Sequence, residues 1–231
     1  MEIKPSYIQI SPLLGEIHWK ENPSDSQLSM QLGWCDFLQR ELGDQILDLR
    51  QGFTSVSILW KDVVAHSQFQ NKLNTITIRP HELSNKIWKV PVCYGEGFGK
   101  DLDTLAKEKK LKVGELIEMH ASVAYRIHFF GFLPGFMYLN GLPERLHSPR
   151  KAVPDRAVPR GSVAIGGSQT GIYPRESPGG WHVIGRTPIS LFDGEQNPPV
   201  WANPGDRIKF VPISSSEMER LIENPPLPNY K

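Results

Sequence analysis

The sequence predicts two domains of different class: a small α+β domain, with helices on one face of an antiparallel sheet, followed by a mainly-β barrel or sandwich. Two features of the chain carry this expectation. Up to about residue 84, short extended runs alternate with helical periods. Between residues 131 and 205, glycine and proline then recur every few positions and separate short apolar or β-branched runs. The chain of 231 residues, 39% hydrophobic and 22% charged, is long enough for two cores without help from disulfides.

Tyr7, Ile8 and Ile10 predict a first strand that ends at the turn Ser11-Pro12, and residues 13–19 predict a second. Ser24 followed by Gln27 has the form of a capping box. Leu28, Leu32, Cys35, Leu38 and Leu42 then recur at helical spacing, so an amphipathic helix closed by Gly43 is expected. Strands follow at 46–49 and 56–60, a helical stretch at 61–73 and a short β-rich run at 75–78. The expected order is therefore β-β-α-β-β-α-β. Arg79 and the polar run through Lys86 form a linker, which places the domains at 1–84 and 85–223. Residues 90–94 open the second domain, with helices expected at 101–109 and 113–122. Residues 224–231, Asn-Pro-Pro-Leu-Pro-Asn-Tyr-Lys, are too rich in proline to continue a helix and are expected to form an exposed arm.

Several function classes are disfavoured. With 26 basic and 25 acidic residues the net charge is +1, which offers no strong field for nucleic acid or an anionic membrane. Cys35 and Cys93 lie far apart, lack metal-ligand spacing and read as reduced thiols. No apolar stretch approaches the roughly 20 residues of a membrane span. Met1-Glu2-Ile3-Lys4-Pro5 lacks the apolar run of a signal peptide, so cytoplasm is the expected compartment. Gly95-Glu96-Gly97-Phe98-Gly99-Lys100-Asp101 invites a phosphate-loop reading, but its spacing fits neither a Walker loop nor a dinucleotide fold, and it reads as a turn entering a helix. In Gly167-Ser168-Gln169-Thr170-Gly171 the serine directly follows glycine, the wrong register for a nucleophile elbow.

One stretch is more specific. Gly131-Phe-Leu-Pro-Gly-Phe-Met-Tyr-Leu139 mixes aromatic rings with flexible and rigid backbone points. It is followed by Pro149-Arg-Lys-Ala-Val-Pro154, by Val158-Pro-Arg-Gly-Ser-Val-Ala-Ile-Gly-Gly167, and by Gln169-Thr-Gly-Ile-Tyr-Pro-Arg-Glu-Ser-Pro-Gly-Gly-Trp181. Ile184-Gly-Arg-Thr-Pro188 and Pro204-Gly-Asp-Arg-Ile-Lys-Phe210 complete the series. In order and spacing, over most of residues 85–213, these blocks resemble those of the family that comprises KipI and the B component of bacterial 5-oxoprolinase. That family is also described as allophanate hydrolase subunit 1, a carboxyltransferase-type domain. Met137 departs from the pattern where a small residue or proline is expected, which bears on the wall of a pocket.

The resemblance implies a cyclophilin-like β-barrel for the second domain and association with 5-oxoprolinase subunits A and C. Together the three would convert 5-oxo-L-proline to L-glutamate at the expense of ATP. ATP would be used by the complex and not held mainly by this chain, and no metal site is recognised. In some members the role is instead direct inhibition of a sporulation histidine kinase, which leaves a regulatory binding module as the alternative. A 5-oxoproline site needs a cation for the carboxylate, and a guanidinium binds one bidentately. Arg175 and Arg186 are the first candidates, with Arg126 and Arg156 behind them. Gln169, Thr170 and Tyr173 are candidate neutral hydrogen-bonding partners, His128 and His182 candidate proton-exchanging groups. Phe132, Phe136 and Trp181 are candidates for the pocket wall.

Overall fold

The computed structural model describes residues 5–20, 22–95 and 97–230. Met1 to Lys4, read above for a leader, and Glu96 of the glycine-rich turn lie outside the described residues, as do Glu21 and Lys231. The chain divides into two compact units, Met1–Leu83 and Ser84–Lys231.

In the first unit, strands β1 (Ser6–Gln9), β2 (Leu14–His18), β3 (Ile46–Gln51) and β4 (Ser55–Trp60) form one antiparallel sheet in the order β1-β2-β4-β3. Helices α1 (Asp25–Leu42) and α2 (Val63–Lys72) pack on it. Strand alternation sets the buried face: Val56, Ile58 and Trp60 of β4 meet Trp34 and Leu38 of α1 and Phe69 of α2. The Ser24 hydroxyl caps α1 by accepting from the Gln27 N–H at 3.2 Å. The reciprocal half of the expected box is absent, because the Gln27 side chain donates instead to the Phe53 carbonyl at 2.9 Å.

The strand expected at 75–78 does not form. Residues 73–75 make a 3₁₀ turn, and Ile76 and Ile78 pack into the core of the unit while the chain crosses α1. The His81 N–H donates to the Ser29 carbonyl at 2.9 Å. A side chain at Gly33 would lie 2.3 Å from the Arg79 carbonyl, so this strap needs a helix position without Cβ. The Cys35 thiol is pushed up to about 12, first by burial and then by Asp36, and both cysteines are free.

The second unit is built from strands β5 (Ile87–Tyr94), β6 (Ala124–Phe130), β7 (Met137–Asn140), β8 (Asp155–Val158), β9 (Ser162–Gly166), β10 (Gln169–Ile172), β11 (Ser177–Gly179), β12 (His182–Arg186), β13 (Arg207–Ile213) and β14 (Asn229–Tyr230). Helices α3 (Leu102–Glu108), α4 (Val113–Ser122) and α5 (Ser215–Glu223) join it. Pairing runs β12-β9-β10-β7-β6-β13-β5, and β12 returns to β5, which closes a barrel of seven strands. The β5–β13 pair is parallel, from Ile87 opposite Arg207 to Cys93 opposite Ile213, and the other barrel pairs are antiparallel. Alternate residues fill the interior: Val90 and Val92, Tyr125 and Ile127, Met137 and Leu139, Val163 and Ile165, Ile208 and Phe210. Met137 therefore belongs to the barrel core and not to a pocket wall, because β7 turns it inward.

His120, at the end of α4, ties several strands together by polar bonds. The Thr170 hydroxyl donates to the Ala164 carbonyl at 3.0 Å, so it accepts from His120 Nε2–H at 2.9 Å. That tautomer leaves Nδ1 to accept from the Tyr94 hydroxyl at 2.8 Å. Tyr125 donates to the His120 carbonyl at 2.7 Å, and Phe210 stacks on the ring at 4.8 Å. Thr170, expected to face substrate, is thus part of the barrel interior.

The turn at 203–206 is equally knit. Gly205 has φ +92, the buried Asp206 accepts from the Trp88 indole at 2.9 Å and from the Asn203 N–H at 3.0 Å, and Arg126 donates to the carbonyls of Gly205 and Ser84. Arg126 thus bonds backbone carbonyls here. The proline-rich tail, expected as an exposed arm, ends as β14 on the edge of β5, with Tyr230 4.7 Å from Trp88 and the Lys86 ammonium 5.0 Å from its ring. Edge pairing and aromatic contact hold what composition alone would leave loose.

Burial lowers the His120 pKa to about 3, below its ordinary 6.5. The unfolded chain therefore takes up a proton that the folded barrel refuses. This contribution is whole above pH 6.5 and falls away below it, by up to about 1.4 kcal/mol per pH unit. His120→Gln is expected to lower stability by about 1–3 kcal/mol at neutral pH, since Tyr94 and Thr170 lose a partner. It should also flatten the decline between pH 6.5 and 4, which urea denaturation across that range measures.

Candidate functional site

Strand β9 is buried along its whole length, with Val163 and Ile165 facing the barrel interior and Ala164 a second cluster outside it. The outer cluster comprises Phe136, Val158, Tyr173, Trp181 and Val183. Its floor is glycine. A Cβ at Gly166 would lie 2.6 Å from the Trp181 ring, and one at Gly171 would lie 3.1 Å from both Phe136 and Trp181. Strands β8 and β11 pair with each other beside this layer. The result is a cleft of about 270 Å³ lined by Phe132, Phe136, Tyr138, Tyr173 and Trp181, by Pro154 and residues 178–180, and by Arg150. Ring centroids stand 5.3 Å apart for Phe136 and Tyr173 and 5.6 Å for Phe136 and Trp181, both edge to face.

The loop between β6 and β7 supplies the mouth. The Leu133 N–H donates to the Gly131 carbonyl at 2.8 Å across Phe132, whose φ is +66, the pattern of a γ-turn of the strained hand. A second turn follows at once: the Phe136 N–H donates to the Leu133 carbonyl at 2.9 Å, with Pro134 inside it and Gly135 at φ +82. The first turn leaves the Phe132 ring 59% exposed, and the ring stands edge-on to Phe136 at 5.5 Å and to Tyr173 at 6.4 Å. For a bulky residue such a φ costs of the order of 1–3 kcal/mol and persists where the surroundings impose it.

The segment at 149–151 is fixed on both sides of Arg150. His182 Nε2–H donates to the Pro149 carbonyl at 2.9 Å, and the Lys151 N–H donates to the Gly180 carbonyl at 2.7 Å. Lys151 Nζ stands 2.7 Å from Asp101 and 2.7 Å from Asp155, and Lys100 stands 2.8 Å from Asp155. Asp101 is itself anchored, accepting from the Val183 N–H at 2.7 Å. Burial alone would lower the Lys151 ammonium, but its bonds to the two aspartates reverse this and raise it; slight burial of Asp155 is likewise outweighed by Lys100 and Lys151, which hold its carboxyl below 3.8. Both contributions to stability are present between the ordinary values of 3.8 and 10.5; Asp155's is lost as pH falls through its lowered pKa, Lys151's as pH rises through its raised one.

Tyr173, Phe132, Phe136 and Trp181 thus meet in one cleft. His182 borders it as a brace for the Pro149 carbonyl, while His128 is fully buried at the bulge of β6 and outside the lining. Arg186 donates to the Arg160 carbonyl at 2.8 Å, and Arg156 and Arg175 are exposed outside the lining. Gln169 opens β10 opposite Gly166, beside the hairpin turn Gly167-Ser168 where Gly167 has φ +67. Sequence reasoning missed Arg150 and Tyr138. Arg150 sits within a quoted block, but nothing local shows that its neighbour Lys151 takes the ion pairs. The first unit has a hollow of about 230 Å³ beside Trp34 and Ile76, whose lining carries no charged side chain among the described residues.

The phenols of Tyr138 and Tyr173 are raised above 10.0, first by burial, with Arg150 opposing in both and a Trp181 backbone bond also opposing in Tyr173. They are neutral at physiological pH and suited to hydrogen bonding, not to nucleophilic attack. No acid, histidine, cysteine or serine lines the cleft among the described residues. Among the described residues no group of three or more His, Cys, Asp or Glu is placed to hold a metal ion. In the glycine-rich turn, Lys100 is spent on Asp155, and a Cβ at Gly99 would lie 2.3 Å from the Ile184 carbonyl, so that glycine serves packing.

The carboxyltransferase domain family, subdomains C and D, matches residues 11–202. Three proteins named as the B component of 5-oxoprolinase are similar. That of Bacillus subtilis is 44% identical over 62% of this chain and 60% of its own length. That of Escherichia coli O157:H7 is 48% identical over 57% and 60%, and that of Haemophilus influenzae 37% identical over 82% and 89%. The match thus spans about three fifths of the first two relatives. Among solved structures, an uncharacterised protein of Pyrococcus horikoshii aligns with TM-score 0.57 at 31% identity, covering 92% of this chain and all of that one. The urea carboxylase of Kluyveromyces lactis shares the fold, with TM-score 0.80 at 19% identity over 98% of this chain and 24% of that one.

Gly166→Ala should force the Trp181 ring off its floor. The expected outcome is a red-shifted indole emission together with a stability loss of about 1–3 kcal/mol in urea denaturation.

Proposed function

Since the chain belongs to the carboxyltransferase domain family, subdomains C and D, we propose that it is the B component of an ATP-dependent 5-oxoprolinase, acting with subunits A and C to convert 5-oxo-L-proline to L-glutamate. The observation that carries the reading is the similarity, at 37 to 48% identity, to three proteins named as that component. Those names favour the enzyme component over the histidine-kinase inhibitor. The barrel is of the cyclophilin-like kind, the complex resides in the cytoplasm, and the site is the aromatic cleft.

The chemistry of that cleft supports dependence on partners. Opening a lactam needs activation of the ring carbonyl, a nucleophile and a proton for the leaving nitrogen. The lining offers neutral phenols that can donate to a carbonyl oxygen, apolar walls that exclude water, and one guanidinium. Activation at the expense of ATP would therefore fall to another subunit, consistent with a glycine-rich turn whose lysine is committed to Asp155.

This chain, purified and mixed with subunits A and C, ATP and 5-oxo-L-proline, is expected to support release of glutamate and ADP, and its omission is expected to abolish glutamate formation. Unchanged glutamate production without it would remove the proposal.

A further inference from the structure

We infer that Arg150 is the carboxylate anchor of the aromatic cleft, and that the cleft takes a small ring acid whose ring lies among Phe132, Phe136 and Trp181. This rests on the reading of the chain as a 5-oxoprolinase component, and goes beyond it by naming the residue that selects the substrate class.

Elimination among the arginines comes first. Arg126 is committed to the carbonyls of Ser84 and Gly205 and Arg186 to that of Arg160, while Arg156 and Arg175 stand outside the cleft. Among the described residues Arg150 is the only charged side chain in the lining, where its guanidinium carbon lies 5.9 Å from the centroid of the Trp181 ring. An aromatic face holds a guanidinium by cation–π attraction while leaving its N–H fork in the ring plane free for an anion. Among the described residues the neighbouring carboxylates Asp101 and Asp155 are taken up by Lys151 and Lys100. The one charge among the described lining residues is thus positive.

The backbone keeps this cation in place. Pro149 is held by His182 and Lys151 by Gly180, so Arg150 projects from a segment fixed on both sides although its own side chain is exposed. A bidentate carboxylate contact gains from such pre-organisation. Phe132 provides the opposing wall. Its strained γ-turn is retained although the ring it presents is largely exposed, which is intelligible if the exposed face is covered by a ligand. Phenol donors at Tyr138 and Tyr173 would meet the amide of such a ring.

The test is titration of the full chain with 5-oxo-L-proline and with 2-pyrrolidinone, the same lactam without its carboxylate, followed by tryptophan fluorescence and by KM in the assembled complex. Wild-type protein is expected to bind the acid at least tenfold more tightly than the neutral lactam. Arg150→Met should erase that difference by weakening the acid alone, Arg150→Lys should restore part of it, and Phe132→Gly, which keeps the turn, should weaken both. An isolated chain that is silent supports the inference if Arg150→Met raises KM for 5-oxo-L-proline tenfold or more, and overturns it if KM is unchanged. Equal binding of acid and lactam by wild type, or an Arg150→Met variant that binds the acid normally, also overturns it. If KM is unmoved by the variant while omission of the chain abolishes glutamate, the anchor is refuted and the reading as a 5-oxoprolinase component stands. If omission changes nothing, that reading itself has failed.

Discussion

The second unit is organised around one buried imidazole kept neutral. A polar ring inside a seven-stranded barrel is tolerable only when both nitrogens are satisfied, and His120 meets that demand through Tyr94 on β5 and Thr170 on β10. Tyr125 on β6 and Phe210 on β13 complete the contacts. Four strands are thereby indexed to one side chain. An apolar plug would fill the volume but would not fix register, because dispersion contacts tolerate sliding and hydrogen-bond geometry does not. The outer cleft inherits this constraint: Thr170 and Gly171 are adjacent in β10, so bonding the first inside sets where the second leaves room for Phe136 and Trp181 outside.

Much of the fold was legible because periodicity survives tertiary context when an element is long. The helices at 25–42 and 113–122 stand at the expected places, and the glycine and proline punctuation of the second half marks turns that the barrel uses. The run at 75–78 misled because an extended apolar segment looks the same whether it bonds to a sheet or lies across a helix. Gly33 decides between them, and its relevance appears only once Arg79 is seen against it. The tail is exposed, as its composition suggests, with Leu227 89% and Tyr230 50% exposed, but its pairing with Lys89 and its contact with Trp88 are not visible in composition.

For the candidate site, residue types were legible and the bonds each residue makes were not. The aromatic blocks pointed to a shaped wall, and the glycines among them are needed because rings lie on the backbone at Gly166, Gly171 and Gly179. Which arginine remains available is a different kind of question. It depends on carbonyls far away in sequence, such as Gly205 for Arg126 and Arg160 for Arg186. His182 illustrates the same limit, since its Nε2–H donates to the carbonyl of Pro149, a partner far away in sequence.

The parallel seam between β5 and β13 bears on how the protein is made. Ile87 pairs with Arg207, so the barrel cannot close until the ribosome has passed the last turn of the chain before α5. Strand pairing in the first unit is complete within its first sixty residues. At roughly 5–20 residues per second, that sheet has several seconds in which to form before the seam strand emerges. During that interval the β5 edge from Ile87 to Cys93 lacks its parallel partner, and such an open edge invites pairing with another chain.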